Sequence, residues 1–112
     1  MKFFSKDKQR CLADKVRVAD RFFDRLVGLM FTKEMVGYDG LLIKYCTSIH
    51  TFFMLQTIDV LFLDNNFVVQ KIIRNMKPWR VSAIYFRSTQ VLELSKGTIG
   101  DDVNVGDKLE IS

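Results

Sequence analysis

Proline occurs once in these 112 residues, histidine once and tryptophan once, and there are two cysteines. Each scarcity excludes something. One proline and six glycines rule out a disordered or low-complexity chain. Cys11 and Cys46 do not make a disulfide framework and read as free thiols in a reducing compartment. No stretch approaches the roughly 18 uninterrupted apolar residues of a membrane-spanning helix. The opening MKFFSKDKQR lacks the apolar run of roughly 7–15 residues that a signal peptide needs. These absences predict a soluble, cytoplasmic protein, at most peripheral to the envelope. P-loop, GxGxxG, GxSxG and zinc-finger patterns are missing too. No close ligand pair accompanies the single histidine, so neither a metal nor a cofactor is expected.

What is there is apolar bulk. Hydrophobic residues make up 48% of the chain and ten of them are Phe. A chain of this length hides about two-thirds of its unfolded surface, enough for a core without staples. It reads as a single β-rich domain, 1–112. The charge of +4 is blocked: residues 1–33 carry +5, 34–70 carry −3, 71–96 carry +5 and 97–112 carry −3. Such blocks could fold into a basic face that favours an anionic ligand, but a solvated mixed surface that keeps the protein soluble is the favoured reading.

Hydrophobic periodicity sets the elements. Phe22, Phe23, Leu26, Val27 and Met30 recur at helical spacing after a capping Asp20, which predicts one N-terminal helix around 20–29. The remaining signals are strands: 16–18, 41–46, 51–55, 60–64, 67–74, 83–86, 91–94 and 108–111. VLFL (60–63) is apolar on both faces and reads as a central strand. Gln70, Lys71 and Arg74 place 67–74 nearer an edge. Asn65-Asn66 between them fits a two-residue hairpin turn. The fold class is mainly β (α+β): a compact β-barrel or two-sheet sandwich of about seven to eight short strands, with the helix packed over one opening.

Cys46 to Asp64, CTSIHTFFMLQTIDVLFLD, is the densest stretch. It sets Cys46, His50, Thr51, Thr57 and Asp59 in an almost wholly apolar run. Bracketed polar groups of this kind are expected to be partly buried and hydrogen-bonded. The binding candidates are His50, Thr51, Asp59, Trp79 and Glu93. A nucleophile with its base would fall on Cys46, His50 and Asp59, and an acid/base carboxylate pair on Asp59 and Glu93. Against these stand structural roles: Asp59 capping a loop, Glu93 facing outward on its strand, Trp79 folded onto the core. The basic segment Lys71, Arg74, Lys77 and Arg80 surrounds Trp79, a combination able to hold phosphates and stack on bases.

Several short motifs keep a recognisable order: Gly28-Leu29-Met30-Phe31, Ile49-His50-Thr51-Phe52 with Met54, and Ile58-Asp59-Val60. Phe62-Leu63-Asp64, Lys77-Pro78-Trp79-Arg80, Val91-Leu92-Glu93-Leu94, Gly97 and Gly106-Asp107 follow. In these the chain resembles the prokaryotic family called domain of unknown function 192, in its short, signal-less branch. The resemblance implies a β-rich domain with a short helix, and no established reaction. It also implies a neighbourhood of pilus or secretion machinery, hence an envelope or pilus assembly protein as partner. The chain departs from the branch at Leu55-Gln56-Thr57, where an Arg and a Pro are common, and at Asn65-Asn66-Phe67, where Gly is common.

The expected function is a non-enzymatic binding or accessory module with a pocket lined by His50, Thr51, Asp59, Trp79 and Glu93. The alternative is a small hydrolase or thiol enzyme centred on Cys46, His50 and Asp59. Nucleic-acid binding through the basic face stands third and is disfavoured.

Overall fold

The computed structural model describes residues 1–112, apart from the side chains of Phe22, Phe23 and Leu26. Eight strands form two sheets. β1 (Phe3–Phe4), β2 (Cys11–Ala13) and β8 (Glu110–Ile111) make a three-stranded sheet in the order β2-β1-β8. β3 (Val16–Ala19), β4 (Gly40–Lys44), β5 (Ile58–Leu63), β6 (Val69–Met76) and β7 (Gln90–Ser95) make a five-stranded sheet in the order β3-β4-β7-β5-β6. Only β3 and β4 pair in parallel, across the long connection that carries α1 (Phe22–Val27). Both sheets keep open edges, so the sandwich form of the expected fold is present and the barrel form is not: no barrel closes.

β5 and β7 lie inside the larger sheet, and side chains on both their faces are buried. Alternation sends Leu61, Leu63, Leu92 and Leu94 to one face, where they pack with Phe3, Leu12, Val103 and Leu109 beneath the small sheet. It sends Val60, Phe62 and Val91 to the other, against Leu29, Ile49, Met54 and Met76. Among the described residues no strand covers that second face. Loop segments around 28–36, 46–57 and 76–88 do, so polar groups on it meet irregular backbone.

Four expectations need correction. The helix around 20–29 packed over a barrel opening is not upheld: the helical segment is six residues, Phe22–Val27, and ends at Gly28 with φ of 52°. Three residues of its expected apolar stripe, Phe22, Phe23 and Leu26, lie outside the described side chains. Segment 51–55 is not a strand, because Thr51 is tied to the 77–80 loop and Phe53 takes a φ of 62°. Segment 83–86 is a loop with Ile84 and Phe86 exposed. The β5–β6 turn spans Asp64 to Val68, closed by the Asp64 N–H donating to the Val68 carbonyl (3.1 Å). Phe67, not an asparagine, takes the positive φ of 62°. β6 does lie at the sheet edge, as its charges predict.

Candidate functional site

Glu93 is the residue around which the site is built. On β7 it stands opposite Leu41 of β4 and Val60 of β5, on the loop-covered face. It is 3% exposed, and burial pushes its carboxyl up to about 8, so it is uncharged at neutral pH. Among the described residues its Oε2 has no hydrogen-bond partner. An orphaned buried polar atom costs a fold about 1–3 kcal/mol.

Glu93 lines a cavity of about 70 Å³ together with Arg25, Gly28, Cys46, His50 and Met54. Arg25 brings a second orphan, a buried Nε–H without an acceptor among the described residues. Acid and guanidinium therefore share one cavity without pairing: the two ion pairs among the described residues are Lys2–Asp14 and Arg10–Asp102. The Arg25 guanidinium instead lies 5.7 Å over the Tyr45 ring. A volume of 70 Å³ is about twice the liquid share of one water molecule, so the cavity has room for a small polar group.

Cys46 and His50 flank this centre without acting on one another. The Cys46 thiol donates to the Ser48 carbonyl (2.9 Å). Burial pushes that thiol up, against a smaller lowering by the Ser48 hydrogen bond, and the nearby Glu93 adds to the rise. A half-buried, raised thiol is a poor nucleophile. His50 Nδ1 accepts the Phe52 N–H (3.2 Å), which leaves the ring proton on Nε2. No hydrogen bond joins Cys46 to His50 among the described residues.

The other expected site residues lie elsewhere. Asp59 projects from the opposite face of the sheet, beside Leu61 and Leu63. Its Oδ1 accepts the Asn75 N–H and its Oδ2 the Ile99 N–H, both at 2.9 Å. It fastens the β5–β6 bulge and the 97–99 turn. Asp59 therefore belongs to neither the pocket, the Cys46–His50 pairing nor a carboxylate pair with Glu93. Thr51 is fully buried but structural: its hydroxyl donates to the Lys77 carbonyl (2.6 Å) and accepts the Arg80 N–H (2.8 Å). Trp79 stands outside, 57% exposed, instead of folding onto the core. All four residues of the basic segment are exposed, but the Arg74 guanidinium is spent on the Ile99, Gly100 and Val103 carbonyls.

Arg25 was not among the expected site residues. Its only sequence signal is a charge inside an apolar helical stripe, and nothing there points toward a glutamate 68 positions later.

The profile of the DUF192 family, described as Uncharacterized ACR, matches residues 3–111. A UPF0127 protein of Pyrococcus horikoshii is 41% identical over 86 residues, 74% of each chain. One of Thermococcus sibiricus is 36% identical over 113 residues, 95% of this chain and 71% of its own. Two crystal structures share the fold at a TM-score of 0.78. One, a protein of unknown function from Novosphingobium aromaticivorans, is 18% identical over 99% of this chain and 84% of its own. The other, a putative transcription regulator from Sinorhizobium meliloti, is 25% identical over 97% of this chain and 92% of its own.

Proposed function

The chain belongs to the DUF192 family, and from that premise we propose that it is a binding module for a small anion, a carboxylate group above all, received in the cavity of Glu93 and Arg25. The observation that carries this reading is the pair of orphans. Oε2 of Glu93 and Nε of Arg25 are buried, belong to residues that line one space and have no partner among the described residues. With Glu93 protonated, both are donors. Two unused donors call for an acceptor group, and a carboxylate supplies two oxygens. Arg25 gives the charge that offsets the ligand's own.

A cationic ligand is the opposite case, since it would need Glu93 ionised beside Arg25. The pH dependence separates the two. An anion needs the Glu93 proton, so its binding weakens as pH rises through about 8. A cation binds better above that pH. The thiol-enzyme alternative finds no nucleophile–base contact to build on. The similar proteins give no support for an envelope or pilus assembly partner, and the reading does without one.

NMR titration with acetate and inorganic phosphate at pH 6 and pH 9 tests the proposal. Amide shifts around Gly28, Cys46 and Glu93 at pH 6, lost at pH 9 and lost in Arg25→Ala, are expected. Glu93→Gln should keep binding at both values. Shifts that grow at pH 9, or none at either, would refute an anion site.

A further inference from the structure

A second surface adjoins the cavity, where the Phe52 ring lies 5.1 Å from the ring of the cavity-lining His50. Phe31, Phe53, Trp79 and Phe52 form one chain of rings. Their centroids are 5.6 Å apart for Phe31–Phe53, 4.8 Å for Phe53–Trp79 and 5.9 Å for Phe52–Trp79. All four are exposed, Phe31 by 67%. Four adjoining aromatics left in water are costly, and such patches on a folded chain mark contact sites.

The backbone supports the same reading independently. Phe31, Phe53 and Trp79 have φ of 63°, 62° and 65°, the left-handed region that a bulky side chain enters at a cost and glycine enters freely. Three strained residues thus hold up three exposed rings. A chain under no demand at this surface would be better served there by glycine. Lys77 and Arg80 flank Trp79, both exposed and in neither of the ion pairs among the described residues.

We propose that this ladder of rings, with Lys77 and Arg80 beside it, binds single-stranded nucleic acid. Unpaired bases offer flat faces to the rings, and phosphates answer the two cations. A duplex hides those faces, and among the described residues there is no long helix to enter its groove. An acidic peptide answers the charge and leaves the rings unmatched. A two-fold contact with a second copy would set Lys77 and Arg80 against their own counterparts. The sequence reading disfavours nucleic acid because it takes this basic segment as an edge strand protected by its charges, with Trp79 folded onto the core; Trp79 is instead 57% exposed.

Trp79 is the only tryptophan, so its fluorescence reports on the ladder directly. The full chain is titrated with the oligonucleotide dT12 at low salt, with heparin and poly-glutamate as polyanions lacking bases. Quenching by dT12 and not by the other two is expected. Two phosphate contacts predict an affinity falling about 25-fold for a tenfold rise in salt, and Lys77→Ala/Arg80→Ala should flatten that dependence. Phe53→Gly removes a ring and suits the φ of the site, so it leaves the fold intact and should weaken dT12 about fivefold or more. No quenching, equal quenching by heparin or poly-glutamate, or a concentration-dependent change without oligonucleotide would overturn the proposal, the last in favour of self-association.

Discussion

Replacing Glu93 by glutamine should make the protein more resistant to alkali, and the size follows from burial. The folded chain holds the Glu93 proton up to about 8, whereas an unfolded chain releases it near the ordinary 4.5. The sign is fixed by linkage. Between those pH values the folded state binds one proton more than the unfolded state, so stability falls as pH rises. Below 4.5 both states are protonated, and above 8 both are ionised, so the loss is confined to that window. Each pH unit in it costs about 1.4 kcal/mol, or about 5 kcal/mol across the whole. That is a large share of the roughly 5–15 kcal/mol by which a domain of this size is held together. Glutamine keeps the shape and an N–H donor and cannot ionise. Urea unfolding of both proteins from pH 4.5 to 8.5 is the assay. The variant's advantage should be near zero at pH 4.5, grow steadily and level off past 8. Parallel stability curves would mean that Glu93 titrates as a solvated carboxyl and would refute the argument.

Other consequences follow from the same geometry. Asp59→Ala strands the Asn75 and Ile99 N–H groups and should cost about 3 kcal/mol or more in chemical unfolding, with no effect on anion titration. A loss of anion binding in a folded Asp59 variant would place that residue wrongly. Cys46 should react with a thiol reagent at pH 8 at least about tenfold more slowly than exposed Cys11. Equal rates, read from the two single-cysteine variants, would contradict the raised thiol. Gly40→Ala puts a methyl 3.2 Å from Ala13, Val16 and Leu94 side chains and should destabilise by about 1–3 kcal/mol; an unchanged melting point would show slack where the core is drawn tight.

Strand positions were legible wherever side chains reported the sheet. VLFL is apolar on both faces and is an inner strand, and the charges in 67–74 mark an edge. β1 and β2 were not legible, because two or three residues in a charged terminus carry no period. TFFML misled for the opposite reason. Its apolar residues mimic a strand, and the Thr51 hydroxyl bonds to Lys77 and Arg80 that fold it into a turn come from far along the chain. Among site residues, Glu93 and His50 were identifiable as polar groups in apolar surroundings, and they line the same cavity. Asp59 met the same criterion and lies on the other face. Composition shows that a buried carboxylate needs a partner, and only the register shows whether that partner is backbone or an open cavity.

At neutral pH Glu93 sits protonated in its cavity, its Oε2 without a partner among the described residues. A carbon-detected NMR titration of the Glu93 side-chain carboxyl measures this without any variant. A midpoint close to 8 is predicted, shifting upward when acetate is added. A midpoint below 5, unmoved by acetate, would contradict both the buried acid and the anion site built on it.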